Sequence, residues 1–187
     1  MRTAFIGMGG NLGSWAGTPE ATLAAAAARL ESLGRVRRRS SLYLTEPVGY
    51  AAQPRFVNAV VELETELEPR QLLRGLLAIE QEFGRDRSAG IANGPRTLDL
   101  DILMLGDLQI SEPDLEIPHP RLAERAFVLV PLDEIAPQLV DARMGRSVSQ
   151  LLNDLHIQAG NGADAVVAIQ SDVWRAGGDA AVSGGGL

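Results

Sequence analysis

Six segments between residues 3 and 105 alternate between two kinds of hydrophobic pattern, and their order leaves few topologies open. Short apolar or alternating runs, which predict strands, occupy 3–8, 36–44, 56–67 and 97–105. Two longer segments carry helix signals: Thr18-Pro19-Glu20 opens one that ends at Gly34, and Glu68-Pro69 opens one that ends at Gly84. The predicted order is therefore β-α-β-β-α-β.

This order is typical of the ferredoxin-like split βαβ pattern. We therefore predict an α+β fold, an α/β sandwich with an antiparallel sheet and helices. Three smaller features follow: a hairpin near Gly106-Asp107 leading into 108–111, helical turns at 120–124 and 131–135, and a capping box from Ser147 to Gln150. Because the composition then shifts to Gly, Ala and Asp, we predict one domain over 1–158 and a partly disordered tail over 159–187.

Two absent residue types exclude whole classes of chemistry. All 17 cationic side chains are arginine, so a Walker A loop and Schiff-base catalysis are excluded, and without cysteine so are disulfides, thiolate nucleophiles and Cys-ligated metals. The net charge of −7 argues against nucleic acid or an anionic membrane as a partner. The N-terminal run 1–7 is too short and too glycine-interrupted for a signal peptide, so we expect a cytoplasmic protein.

Asp99 and Asp101 are the strongest functional candidates. In a strand, residues at i and i+2 point to the same face, with Cα atoms about 6–7 Å apart. Two neighbouring carboxylates favour Mg²⁺ or Mn²⁺, and paired ions are a known clamp for phosphoryl-type displacements. The simpler alternatives are two solvated aspartates on an edge strand, or an aspartate paired with Arg96.

Arginines surround this strand in the sequence. Arg85, Arg87 and Arg96 lie on the polar loop that enters it, which suits a polyphosphate ligand; the alternative is a solvated loop whose arginines serve solubility. His119, held between prolines, could contact a phosphate or a base, or could be a structural turn residue. Phe56 and Phe127 could be core residues or walls that stack on a flat ligand.

Residues 7–13, GMGGNLG, look like a nucleotide-binding loop but fail the GxGxxG template at Leu12. No suitable acidic residue closes a following βαβ unit. A Rossmann site is therefore not expected, and we predict that the glycines form a tight turn or leave room for a ligand.

The run Asn93-Gly94-Pro95-Arg96-Thr97-Leu98-Asp99-Leu100-Asp101-Ile102-Leu103 resembles the hallmark of 6-hydroxymethyl-7,8-dihydropterin pyrophosphokinases of folate biosynthesis. Supporting matches extend over residues 1 to about 153, and they include Gly9-Gly10-Asn11-Leu12, Thr45-Glu46-Pro47, Gln53-Pro54-Arg55-Phe56-Val57-Asn58, Glu80, Pro118-His119 and Arg125-Ala126-Phe127. The family's ferredoxin-like fold agrees with the order derived from the patterns.

The resemblance implies an ATP-dependent transferase that moves pyrophosphate from ATP to the hydroxymethyl group of the pterin and releases AMP. It implies two Mg²⁺ ions at Asp99 and Asp101, with Arg85 and Arg96 assisting the transfer. ATP contacts are implied for Glu80, Arg87, His119 and Arg125. Pterin contacts are implied for Thr45, Pro47, Val48, Phe56, Asn58 and Phe127.

The residues alone also allow two functions of other kinds. One is a non-catalytic ferredoxin-like regulator with a structural cation at Asp99 and Asp101, which leaves the arginine loop unexplained. The other is an ATP-dependent nucleotidyltransferase with the same carboxylate pair. We expect a monomer whose ligands are ATP and the pterin, with neither nucleic acid nor membrane as a partner.

Overall fold

The computed structural model describes residues 1–47, 52–86, 94–159 and 166–179. A six-stranded sheet forms the centre, from β1 (Arg2–Gly10), β2 (Arg35–Arg39), β3 (Leu42–Thr45), β4 (Phe56–Thr65), β5 (Asp99–Leu105) and β10 (Val167–Ile169). Its strand order is β10-β3-β4-β1-β5, with β2 also paired to β4, and every pair is antiparallel. Two small hairpins join β6 (Ile110–Glu112) to β7 (Leu115–Ile117) and β8 (Val140–Asp141) to β9 (Arg146–Ser147).

Helices cover both faces of the sheet. On one face, α1 (Pro19–Arg29) and α2 (Pro69–Glu82) pack on a core that includes Ala4, Ile6 and Met8. On the other, α3 (Ala126–Ile135) and α4 (Val148–Ala159) pack on a second core that includes Phe5, Val60 and Leu103. Because successive strand residues point to opposite faces, β1 and β4 supply apolar side chains to both cores. The predicted βαββαβ order and sandwich architecture are confirmed.

The helices begin where the sequence predicts. The Thr18 hydroxyl accepts a hydrogen bond from the Ala21 N–H, and Pro19 occupies the first turn of α1. α2 begins with a capping box between Glu68 and Gln71. Among the described residues, no helix has the length and apolar character needed to cross a membrane.

Three local predictions differ from the structure, two in kind and one in extent. The strand predicted over 36–44 is two strands. At the break between them, the Ser40 N–H donates to the Val60 carbonyl, and the Ser40 hydroxyl accepts the Val60 N–H. The segment after Gly106 does not pair back onto β5, because β6 pairs with β7 instead. The turn predicted over 131–135 is the second half of α3, which accommodates Pro131 within it.

Residues 166–179 belong to the folded unit. Strand β10 pairs with β3, and α5 (Asp172–Asp179) packs against α1. Trp174 is 6% exposed and joins the core on the α1 side of the sheet. For these residues the structure differs from the predicted tail: β10 adds backbone pairing at the sheet edge, and Ile169 and Trp174 pack on the core.

Candidate functional site

A cleft of about 330 Å³ opens at the end of the sheet where β5 begins. The register places Asp99 opposite Gly9 and Asp101 opposite Gly7, so these four residues share one face. Further along that face, Leu103 lies in the core beneath α3 and α4. Leu103 therefore forms the apolar end of the cleft, and the two carboxylates and the glycines line the cleft beyond it.

Three guanidinium groups surround the carboxylates. Arg85 Nη1 lies 2.9 Å from Asp99 Oδ1, and Arg96 Nε lies 3.1 Å from Asp99 Oδ2. Arg125 Nη1 lies 3.9 Å from Asp101 Oδ2. The pairing of Asp99 with Arg96, one of the simpler alternatives, is thus present, but it occurs inside a cleft and with a second arginine on the same carboxylate. The arrangement can accept additional negative charge from a ligand.

Asn11 ties together three segments around the cleft. Its Oδ1 accepts the Arg96 N–H at 2.8 Å, and its Nδ2 donates to the Pro54 carbonyl at 2.9 Å and to Gln53 Oε1 at 3.0 Å. Beside it, a Cβ atom on Gly10 would lie 2.3 Å from the Thr97 carbonyl oxygen. Gly10 therefore makes room for backbone and not for a ligand, whereas Gly7 and Gly9 do line the cleft.

Aromatic rings form two walls of the cleft. Phe56 lies under Arg96, with 4.7 Å from Cζ to the ring centroid, and Phe127 lies beside Arg125 at 5.6 Å. Between β3 and β4, the buried Asn58 donates from Nδ2 to Thr45 Oγ1 at 2.8 Å. The cleft thus combines flat apolar surfaces with an amide whose orientation is held by a hydrogen bond.

His119 enters the cleft from the segment before α3. Its Nδ1 accepts the Arg121 N–H at 3.1 Å, so the neutral ring carries its proton on Nε2. Burial, together with the positive charges of Arg125, Arg121 and Arg143, lowers the pKa of His119 to about 4. His119 is therefore an uncharged hydrogen-bond donor at neutral pH.

Ten predicted site residues converge on this cleft: Thr45, Phe56, Asn58, Arg85, Arg96, Asp99, Asp101, His119, Arg125 and Phe127. Pro47 is not among the lining residues, and Val48 and Arg87 lie outside the described residues. Sequence reasoning missed Arg121 and Glu46, which also line the cleft. The available signals were the position of Arg121 two residues after His119 and of Glu46 between Thr45 and Pro47.

Glu80 is placed differently from its prediction. Its side chain is 1% exposed and is not part of the cleft lining. Oε1 accepts the N–H of Leu100 at 2.8 Å, between Asp99 and Asp101 in the chain. Because β5 is an edge strand, this N–H has no strand partner on its outer side, and α2 supplies the acceptor instead. Glu80 therefore contacts the backbone of the carboxylate strand, and its predicted contact with ATP stays a prediction.

The carboxylate pair suits Mg²⁺ better than a metal that needs a full protein cage. No cluster of three or more His, Cys, Asp or Glu that could hold a metal occurs in the part of the chain described. Mg²⁺ characteristically takes one or two carboxylates and fills its other positions with water and substrate phosphates. Two carboxylates beside arginines fit that coordination.

Comparison with known proteins gives the chain a family. The family model described as 7,8-dihydro-6-hydroxymethylpterin-pyrophosphokinase (HPPK) matches residues 5–137. A 2-amino-4-hydroxy-6-hydroxymethyldihydropteridine pyrophosphokinase of Synechocystis is 44% identical over 156 residues, covering 83% of this chain and 77% of the relative. A protein of the same name from Pseudomonas aeruginosa is 42% identical over 156 residues, covering 81% of this chain and 91% of the relative.

Solved structures support the fold. Wild-type Plasmodium falciparum HPPK-DHPS matches 84% of this chain with a TM-score of 0.67 at 16% identity. The match covers 45% of that longer chain, so this chain spans less than half of its length. The family model over residues 5–137 and the two bacterial relatives agree with the resemblance carried by Gly94 to Leu103. The chain belongs to the 7,8-dihydro-6-hydroxymethylpterin-pyrophosphokinase family of transferases.

Proposed function

We propose that the cleft transfers the terminal pyrophosphate of ATP to the hydroxymethyl oxygen of 6-hydroxymethyl-7,8-dihydropterin, giving AMP and the pterin diphosphate in folate biosynthesis. The observation that carries the proposal is the placement of Asp99 and Asp101 in one cleft with Arg85, Arg96 and Arg125. The substrate oxygen forms a bond to the β-phosphorus, the bond from that phosphorus to the α,β-bridging oxygen breaks, and the hydroxyl proton is released.

The arginines are assigned to the phosphates. Arg85 and Arg96 stabilise negative charge on the transferred group, because guanidinium groups bind phosphate oxygens through paired hydrogen bonds. Their present contacts with Asp99 hold both groups at the edge of the cleft before ATP binds. Arg125 and His119 are assigned to ATP, with His119 donating from Nε2, and Arg87 stays a predicted ATP contact.

The aromatic walls are assigned to the pterin. Phe56 and Phe127 provide ring faces for a flat heterocycle, and Asn58 and Thr45 provide polar groups near them. Pro47 and Val48 stay predicted neighbours of the same pocket. This arrangement fixes the orientation of the pterin, which brings its hydroxymethyl group toward the carboxylate end of the cleft.

Asp99 and Asp101 are the residues that would hold two Mg²⁺ ions. When bound, the ions neutralise phosphate charge and lower the proton affinity of the attacking hydroxyl. The reaction requires no side-chain nucleophile, which suits a chain that has neither cysteine nor lysine. A monomer in the cytoplasm remains our prediction.

The reaction products discriminate this function from the two alternatives. With ATP, 6-hydroxymethyl-7,8-dihydropterin and Mg²⁺, we expect AMP and the pterin diphosphate in equal amounts by anion-exchange chromatography. A nucleotidyltransferase would release pyrophosphate and transfer AMP, and a non-catalytic regulator would give no product. Either of those outcomes excludes the proposal.

Variants of the two carboxylates test the metal assignment. We expect Asp99→Asn and Asp101→Asn each to lower kcat by at least about 100-fold, because a preorganised electrostatic group is lost. Asp107→Asn is the matched control, since Asp107 is exposed just beyond the other end of β5. Circular dichroism should show the wild-type fold in all three, and normal turnover in Asp99→Asn would contradict the assignment.

A further inference from the structure

A second pocket of about 220 Å³ lies between the β2–β3 junction and α5. Its polar lining comes from both sides: Arg39, Ser41, Gln170, Ser171, Trp174 and Arg175. It shares no lining residue with the cleft at Asp99 and Asp101. The proposed pyrophosphate transfer therefore gives this pocket no role.

Arg39 is the unusual residue of this pocket. Its Nε and Nη1 atoms are buried and have no hydrogen-bond partner among the described residues. Its guanidinium lies over the Trp174 ring, with Cζ 5.3 Å from the ring centroid. That ring is itself held, because its Nε1 donates to the Ser40 carbonyl at 2.8 Å. Arg39 is a partly buried cation whose two inaccessible nitrogens lack an acceptor, so the arrangement favours entry of an anion that can accept from them.

The acidic groups nearby do not supply that anion. Glu134 lines the pocket, but its carboxylate accepts hydrogen bonds from the Ser41 N–H at 2.8 Å, the Ser41 hydroxyl at 2.9 Å and the Tyr43 hydroxyl at 2.9 Å. Glu31 favours the charged form of Arg39 from a distance without forming an ion pair with it. Arg175, exposed on α5, also forms no ion pair within the described residues. Among the residues that line the pocket, two arginines thus accompany one carboxylate, whose oxygens already accept three hydrogen bonds.

We propose that this pocket is a second anion-binding site that takes a phosphate group held by Arg39 and Arg175. A tetrahedral phosphate presents several acceptor oxygens, which suits two guanidiniums together with the hydroxyl of Ser171 and the amide of Gln170. The group could be inorganic phosphate or the phosphate of a nucleotide, since both present the same oxygens. The indole of Trp174 forms a flat surface next to the site.

The indole N–H of Trp174 provides a local readout that does not depend on catalysis. The chain has two tryptophans, so Trp15→Phe assigns the two indole signals in a ¹H–¹⁵N spectrum. Titration of the full chain with inorganic phosphate should shift the Trp174 signal to saturation. The Trp15 N–H donates to the Glu82 carbonyl, and neither residue lines this pocket. The Trp15 signal therefore reports separately on anions that bind elsewhere.

Charge-removing variants decide whether Arg39 and Arg175 bind the anion. Arg39→Gln and Arg175→Gln should each weaken phosphate binding by about tenfold or more, since each removes a charged hydrogen-bonding partner. Arg37→Gln is the matched control, because Arg37 lies on the same strand and pairs with Glu64 instead. We expect it to bind phosphate as the wild type does.

Each outcome distinguishes the site from a purely structural role of Arg39. If Arg39→Gln undocks α5, its Trp174 signal moves before phosphate is added, and Arg175→Gln then carries the test. A wild-type signal that never saturates, or equal affinity in Arg175→Gln and Arg37→Gln, overturns the proposal. A parallel titration with AMP separates the sources: tighter binding than phosphate assigns a nucleotide phosphate, and equal or weaker binding assigns free phosphate. Failure of AMP production would leave this test unaffected.

Discussion

Arg96 lies between the charged half of the cleft and its aromatic half, with Cζ 4.7 Å from the centroid of Phe56. Its Nε is at the same time 3.1 Å from Asp99 Oδ2. The backbone N–H of Arg96 is fixed by Asn11, so the position of the guanidinium is set at both ends of the residue. The Arg96 side chain therefore contacts both the predicted phosphate region, at Asp99, and the predicted pterin region, at Phe56.

We expect Arg96→Lys to impair both substrates. Lysine keeps the charge but cannot stack its planar group on Phe56 or bind phosphate in bidentate fashion. Steady-state kinetics should show kcat/KM lower by about 10–100-fold for ATP and for the pterin. Phe56→Leu and the double variant complete a cycle, in which a combined loss smaller than the sum of the two single losses indicates coupling. Strict additivity would contradict it.

Glu80 fixes the backbone of β5, because its Oε1 accepts the Leu100 N–H. Glu80→Ala leaves the Leu100 N–H without its acceptor, so we expect the free energy of unfolding to fall by about 1–3 kcal/mol in urea denaturation. Turnover should fall as well, because Leu100 lies between Asp99 and Asp101. Glu80→Gln keeps an acceptor oxygen and should restore most of both properties.

Glu82, two residues after Glu80 on α2, provides the control for this prediction. Glu82 pairs with Arg29 at 3.0 Å on the surface, and Glu82→Ala should change stability by less than about 1 kcal/mol. If Glu80→Ala lowers stability no more than Glu82→Ala does, the bond to Leu100 has no structural importance. If Glu80→Gln turns over no faster than Glu80→Ala, positioning is the wrong explanation.

The local part of the site could be predicted from the sequence. The alternation of Leu98, Asp99, Leu100 and Asp101 predicts one apolar and one acidic face, because strand periodicity is a property of neighbouring residues. The burial of residues on both faces of β4 was harder to predict. Val60 is buried because α3 and α4 cover the second face of the sheet. These helices lie within 126–159, more than 60 residues later in the chain.

The rest depended on contacts between distant segments. Glu80 belongs to the family pattern, yet nothing local indicates that α2 turns it toward the Leu100 N–H and away from the cleft. Arg121 was overlooked because an exposed arginine next to a turn has no distinctive pattern. In 166–179 the composition predicts a tail, whereas Trp174 packs into the core of the domain. Composition alone does not show that such a contact is available.

Trp174 should account for most of the docking of α5. Trp174→Ala removes a side chain that is 6% exposed, and such changes cost about 3–5 kcal/mol when the whole fold is affected. Because this segment lies at the sheet edge, we expect part of the loss to appear as local opening, measurable as faster amide exchange in β10 and α5. Val173→Ala is the matched control, since Val173 is 56% exposed, and equal exchange in the two variants would contradict the role of Trp174.

His119 should make the stability of the protein depend on pH in the acid range. Burial, followed by the charges of Arg125, Arg121 and Arg143, lowers its pKa in the folded state from 6.5 to about 4. Between these values the unfolded chain binds the proton and the folded chain does not, so stability rises with pH across this window and is lost as pH falls from about 6.5 to about 4. We expect His119→Gln to show a shallower dependence of unfolding free energy on pH in urea titrations.

His156→Gln, which replaces the exposed second histidine on α4, should keep the wild-type dependence. Equal slopes in His119→Gln and the wild type would show that burial does not disfavour the charged imidazole.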